Sequence, residues 1–383
     1  MDTDHLSEQQ REWYEKLAGL GEELSADHLV DDATEEFCPR KWRTLADTGL
    51  FELPIREGEK PDGRLLTTLA ALEGLGYGCR DSGLSFSAAT HMASTGLPVF
   101  RFGSAALRER YLPGVRTGES IGAHAITEAE AGSDALAMGA TAEPDGDEYV
   151  LNGHKVFISN APIADQVVVY ARTGPAGTAA SVTAFVVDAD TAGLTLGEPV
   201  STMGLRTSPL GEVRLEDVRV PRERMLGHPG GGFLILGHVM SREILCVSAI
   251  QIGEMRYRLE RCLEYATERH QFGRPIGSYQ AVSHSLVEMR LGLETACRWL
   301  HDTARRMVDR KDTTFEVAAT KLATSEANSA SARKAMQIFG GRGYLTESGI
   351  ERMVRDSLSG TVYSGTSETQ RNRIAALMGL PGQ

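Results

Sequence analysis

Cysteine is scarce in this chain, and its five residues (Cys38, Cys79, Cys246, Cys262, Cys297) form no CxxC pair and no metal-ligand spacing. A disulfide framework and a metal centre are disfavoured, and reduced thiols fit a cytoplasmic setting. Basic residues are also in deficit, with 40 Lys and Arg against 52 Asp and Glu for a net charge of −12. That balance argues against a general nucleic-acid or anionic-membrane binder, although a local basic pocket for a phosphate stays compatible with it. Long apolar runs are missing too. The longest approach, GGFLILGHVM (231–240), is interrupted by His238, so no membrane partner is expected. The N-terminal MDTDHLSEQQREWYEKL has neither a signal nor a transit pattern, which again predicts a cytoplasmic protein. No GxGxxG follows a strand and opens a helix, which disfavours a Rossmann site. Walker, HExxH and GxSxG motifs and internal repeats are absent as well.

What is present falls into three blocks. At 383 residues and 41% hydrophobic content, the chain is globular and long enough for several subdomains. Residues 1–120 carry helical periodicity in SEQQREWYEKLAGLGEEL, CPRKWRTLADTGLF and LLTTLAALEGLGYG. Residues 121–228 change to short β-rich runs such as DEYVLNGHKVFIS, DQVVVYART and SVTAFVVDAD. Within them VRLEDVRV nearly alternates, which predicts a sheet with one wet face. Residues 229–383 are helical again, with long periodic stretches at 233–268, 278–310 and 314–338. A β block between two α blocks predicts a mostly α protein with a central β-domain, not alternating βαβ units.

Five short stretches carry candidate chemistry, and the first four have a plain structural alternative. AITEAEAGSD (125–134) sets Thr127, Gly132 and Ser133 in a small polar loop that fits a ring edge or a phosphate, or is simply surface. KVFISNAPIAD (155–165) puts Phe157 beside Ser159 and Asn160, where an aromatic covers a flat ring or fills a core. RHQFGRPIGSYQ (269–280) begins with Arg269, a bidentate pyrophosphate ligand or a cation at a helix C-terminus. QIFGGRGY (337–344) thins a wall beside a ligand, or ends a helix in the ordinary glycine way. SGTVYSGTSETQ (359–370) turns at Ser364-Gly365 and opens a helix whose free N–H groups suit an anion.

Singly these are ambiguous, but in order they are specific. TEAEAGSD, NGHKVFISN, MGLRTSPLGEVRLEDVRVP, ERHQFGRPIGSYQ, QIFGGRGY and YSGTSETQ follow one another as in the acyl-CoA dehydrogenase family, which the chain resembles from about residue 10 to 380. The resemblance implies an N-terminal helical domain, a middle β-domain and a C-terminal four-helix bundle. It also implies a homotetramer that holds FAD between subunits. By it, His124, Ile126, Thr127, Gly132 and Ser133, with Phe157, Ile158 and Ser159, contact the flavin ring side. Arg269, Gln271, Phe272 and Gln280, with Gln337, Gly340 and Gly341, hold the adenosine and pyrophosphate of a neighbouring subunit's FAD. Thr366 and Glu368 meet FAD at the last helix, and Ser133, Tyr363 and Gly365 face the substrate.

The family's chemistry is α,β-dehydrogenation of a thioester, with a carboxylate removing the α-proton and the β-hydride passing to flavin N5. Many members read Tyr-Glu-Gly-Thr with that Glu as base, whereas this chain reads Tyr363-Ser364-Gly365-Thr366. A serine hydroxyl is no unaided base at neutral pH. The isovaleryl-CoA dehydrogenase branch takes its Glu from an earlier helix, and the corresponding position here is Glu243 in MSREILCVSAIQIG. An apolar helix is expected to raise its pKa, unless it only pairs with Arg242. The usual Arg after that position is replaced by Ile244. The expected substrate is an acyl-CoA. A carrier-protein thioester such as a prolyl group is the alternative, and a silent flavoprotein of the same fold is a third reading. An electron-transfer flavoprotein is the type of electron acceptor implied.

Overall fold

The computed structural model describes residues 6–56, 58 and 62–380. The chain opens with α1 (Glu8–Gly19), α2 (Gly21–Ser25), α3 (His28–Thr34) and α4 (Pro39–Ala46). α5 (Leu65–Gly78), α6 (Ser82–Thr90), α7 (Leu97–Phe102) and α8 (Ala105–Thr117) complete the helical part. Ser7 starts α1 with a capping box: its hydroxyl accepts from the Gln10 N–H, and the Gln10 side chain accepts from the Ser7 N–H. α5 is apolar on nearly every side and lies buried between α1 and a long helix of the C-terminal part. Glycine permits the crossing. A Cβ on Gly76 would stand 2.1 Å from the Ile250 carbonyl oxygen. α6 runs into a π-helical segment, His91–Gly96, before α7 begins. Such wide turns shift the aim of side chains relative to a regular helix.

The middle part is a sheet in the order β6-β7-β3-β2-β4-β5-β8, with β1 running parallel to β4. Its strands are β1 (Gly122–Ala125), β2 (Thr141–Asp145), β3 (Glu148–Ser159) and β4 (Gln166–Arg172). They continue as β5 (Val182–Asp188), β6 (Leu194–Leu196), β7 (Leu210–Pro221) and β8 (Met225–Leu226). Pairing is antiparallel except where β1 and β2 meet β4, so this is not a Rossmann sheet. The alternation read in VRLEDVRV holds in β7, where Val213, Leu215, Val218 and Val220 are buried and Arg214, Glu216 and Arg219 are exposed. The extra residue that keeps the pattern from being strict is Asp217, at φ +50°, opposite a register shift in β3.

The C-terminal part contains α9 (Gly232–Glu268), α10 (Gln280–Val308), α11 (Thr314–Phe339), α12 (Ile350–Ser359) and α13 (Ser367–Leu377). Between α9 and α10 a small hairpin forms, β9 (His270–Gln271) against β10 (Arg274–Pro275). One expectation needs correction. By length and composition alone α9 is apolar enough to cross a membrane, because the helix continues past His238 through ILCVSAIQIG. More than half of its most apolar stretch is buried inside the fold, and residues of α9 such as Leu245, Ile252 and Met255 join the main core.

Candidate active site

A cavity of about 1180 Å³ opens where the three parts meet. Its walls come from α6 and the π-helical segment, from the loop after β1, from β3, and from the starts of α9 and α13. The two reaches of sequence that supply the acid–base candidates converge on it. Glu243, on α9, places its carboxylate between two hydroxyls. Ser94 Oγ donates to Oε2 at 2.7 Å, and Ser364 Oγ donates to Oε1 at 2.7 Å. Burial pushes the Glu243 carboxyl above the usual carboxylate range, and the two hydroxyls pull it back without cancelling that effect. The alternative of a surface Glu paired with its neighbour does not hold, because the Arg242 guanidinium turns to Asp62 at 2.5 Å. Ile244, where a charge was expected, is 1% exposed and belongs to the hydrophobic core.

The turn that carries Ser364 is held from several sides. Ser364 sits in the left-handed region at φ +53°, followed by Gly365 at φ +84°. A non-glycine residue there is strained and must be fixed by its surroundings. Gln370 Nε2 donates to the Ser364 carbonyl at 3.2 Å, and Gln251 Nε2 donates to the Tyr363 hydroxyl at 2.7 Å. The Tyr363 ring also packs on Phe86, with centroids 4.8 Å apart. The Thr366 hydroxyl caps α13 by accepting from the Thr369 N–H at 3.1 Å.

The opposite wall is polar and equally constrained. Lys155 Nζ donates to the Ile126 carbonyl at 3.0 Å and to Glu128 at 2.8 Å. Glu128 also accepts from the backbone N–H groups of Gly139 and Ala140. This buried pair folds the loop 126–139 back onto β3, so that Thr127, Gly132 and Ser133 line the cavity. Burial raises the Glu128 carboxyl, but Lys155 and the two amides outweigh it and hold it below the usual range. His124 Nε2 lies 3.0 Å from the Tyr170 hydroxyl, and burial pushes the imidazole down to about 3, so it is neutral. Phe157 adopts φ +58° at a register shift in β3 and stands 69% exposed at the cavity.

The sequence-predicted residues divide into two sets. His124, Ile126, Thr127, Gly132, Ser133, Phe157, Ser159, Glu243, Tyr363, Gly365 and Thr366 all line the one cavity. Ile158 does not, and this is a correction for its side chain: strand alternation turns it into the sheet core, 2% exposed, while Phe157 and Ser159 face the ligand space. Arg269, Gln271, Phe272 and Gln280 are exposed on and beside the β9–β10 hairpin, away from the cavity. Gln337, Gly340 and Gly341 are exposed at the end of α11. Glu368 is exposed in the first turn of α13 and pairs with Arg371 at 3.5 Å. None of these residues lines the cavity. Sequence reasoning missed Ser94, Phe86 and Thr90. They lie in SFSAATHMASTG, a buried run of small and apolar residues whose only signal is an excess of hydroxyls.

Family models for the acyl-CoA dehydrogenase N-terminal, middle and C-terminal domains match residues 7–119, 123–218 and 230–379. A curated L-prolyl peptidyl-carrier-protein dehydrogenase of Pseudomonas fluorescens is 41% identical over 365 residues, 94% of this chain and 96% of its own length. Among solved structures, the prolyl acyl carrier protein oxidase AnaB superposes with TM-score 0.95 at 37% identity, covering 98% of this chain and all of that one. PigA with FAD and proline gives TM-score 0.95 at 35% identity, with both chains fully covered.

Proposed function

Because the chain belongs to the acyl-CoA dehydrogenase family, we propose that it is an FAD-dependent dehydrogenase of an acyl thioester, with Glu243 as the α-proton base. The observation that carries this reading is the Glu243 carboxylate, enclosed at the cavity with a hydroxyl on each oxygen. A family base has its counterpart there, and the replacement of the commoner one by Ser364 leaves no second carboxylate in that turn. The cavity fits FAD by its chemistry. The Thr127, Ser133 and Ser159 hydroxyls offer polar contacts, and Phe157 offers an exposed aromatic face. The volume exceeds that of a usual small-molecule pocket, as a site for a cofactor and a substrate together requires. When bound, FAD supplies the acceptor for the hydride.

The chain's own residues do the rest. Glu243 takes the proton from the carbon next to the thioester carbonyl, and burial, by holding its carboxyl above the usual range, makes it a stronger base than an exposed carboxylate. Thr127, Ser133 and Ser159 orient the ring system, and the Phe86–Tyr363 pair closes one side of the acyl space against water. Arg269, Gln271, Phe272 and the Gly340-Gly341 bend are proposed to serve the FAD of a neighbouring copy in a homotetramer, a reading their exposure supports. Reoxidation by an electron-transfer flavoprotein and a cytoplasmic location complete the proposal.

For the acyl group, the 41% and 37% identities to prolyl-carrier enzymes support an L-prolyl thioester on a carrier protein over a free acyl-CoA. The hydroxyl-rich surroundings of Glu243 agree, since Thr90, Ser94 and Ser364 suit a small polar ring better than an alkyl chain. The test is anaerobic flavin bleaching by prolyl-carrier, prolyl-CoA and butyryl-CoA, repeated with Glu243→Gln. The prolyl-carrier thioester should bleach fastest, and Glu243→Gln should slow it by roughly 10²–10⁴-fold. Fastest bleaching by butyryl-CoA would reverse the substrate reading. A yellow protein bleached by no thioester would sink the dehydrogenase reading.

A further inference from the structure

We propose that Ser94 and Ser364 are positioning residues for the base: their hydroxyls grip the two Glu243 oxygens separately, fixing the carboxylate's orientation and favouring its anion. This rests on the reading of Glu243 as the base.

The geometry is two-sided. Ser94 comes from the π-helical segment of the N-terminal helices and is 1% exposed, while Ser364 comes from the turn before α13. Each hydroxyl donates one bond of 2.7 Å, and each takes a different oxygen. A carboxylate held at both oxygens by separate elements loses the rotation that a single donor would leave it. Ser364 is also held in a left-handed conformation, at φ +53°, with its carbonyl bonded by Gln370. Strain retained at that position aims the hydroxyl.

No neighbouring charge does the same work. Tyr170 on β4 and Tyr363 beside the turn are pushed upward by burial and stay neutral. Burial pushes the Cys246 thiol, on α9, up to about 12. His124 on β1 is neutral, and Arg242 is committed to Asp62. Hydrogen bonds to an ionised acceptor are stronger than neutral ones, so the two serines are what offset burial for the Glu243 anion. Once Glu243 takes a proton, the serine on the protonated oxygen faces an O–H and loses its bond to an anionic acceptor, while the other still donates to the C=O. The clamp therefore opposes the protonated base and helps it release the proton. Ser364 is a working part of the base, not the mark of one that is missing.

The test is the pH dependence of anaerobic bleaching in Ser94→Ala, Ser364→Ala and the double variant, with FAD content checked in each. Loss of a donor to the anion raises the base pKa, so the rising limb must move to higher pH. Each single change should shift the midpoint upward by about one unit, and the double variant should shift it further. On the rising limb, at pH values below the parent midpoint, the rate should fall about tenfold per lost hydroxyl and recover as pH rises. Ser94→Thr keeps a hydroxyl and should restore the parent midpoint. At position 364 the rescue is Ser364→Asn, because Asn tolerates the left-handed backbone and carries a donor. The carboxyl C=O stretch that disappears in Glu243→Gln, followed by infrared titration, should report the same shifts without turnover. A lower plateau with an unmoved midpoint and unmoved carboxyl titration would show ordinary packing residues and overturn the proposal. If Glu243→Gln bleaches as fast as the parent, the base assignment itself falls, and the clamp falls with it.

Discussion

Replacing Lys155 by Met should loosen the cavity wall more than any surface change, because its ammonium is wholly enclosed. The side chain is 0% exposed, and its carboxylate partner Glu128 is 12% exposed. Removing one member of a buried pair leaves the other charge uncompensated, at a cost of about 3–5 kcal/mol. Glu128 would keep its two backbone donors, at 2.5 and 2.9 Å, and some contact with solvent. The lower end, about 3 kcal/mol, is therefore expected. Urea unfolding of the parent and Lys155→Met proteins measures it, and dialysis measures FAD retention as the loop 126–139 loosens. Adding Glu128→Gln to Lys155→Met removes the stranded charge, so the double variant should regain part of the loss. The pH dependence has a definite sign. Glu128 is held below the usual carboxylate range in the folded chain, so its contribution is complete above the unfolded value and fades as pH falls through the folded one. The gap between parent and Lys155→Met should narrow in acid. A loss below about 0.5 kcal/mol at neutral pH, the range of an ordinary surface change, would refute the reasoning.

Gly253→Ala should destabilise by about 1–3 kcal/mol or more, since its Cβ would stand 2.1 Å from the Glu73 carbonyl oxygen on α5. By contrast, Gly292→Ala on α10 would meet only Ala327, at 3.4 Å, and should leave Tm unchanged or raised. Arg269→Ala should weaken FAD retention by about 1.5–3 kcal/mol if its exposed guanidinium grips a neighbour's pyrophosphate. Ultrafiltration of the assembled protein reads that loss, and unchanged retention would remove Arg269 from the cofactor site.

The broad organisation was legible because period is a local property. Alternation in VRLEDVRV and the helical spacing of 278–310 each belong to one element, and both survive in β7 and α10. Glu243 was legible by its register within a motif, and its surroundings bore out the expected upward shift. What stayed hidden was relational. Nothing near Ser94 in the sequence indicates that a π-helical turn aims its hydroxyl at a residue 149 positions away. Ile158 was assigned to the ligand face with Phe157 and Ser159, but strand geometry allows only alternate residues there, and the register shift decides which. Asp62 was equally invisible as the partner that holds Arg242 away from Glu243.

The clamp on Glu243 joins three places in the chain, with separations of 149 and 121 residues. Closing loops of that length comes late in folding, after local helices and hairpins have formed. A refolding chain can therefore regain most of its helical circular dichroism while the Glu243 clamp is still unassembled. In a refolding time course, anaerobic flavin bleaching should lag the far-ultraviolet signal, and the lag should lengthen in variants that slow docking of the last turn.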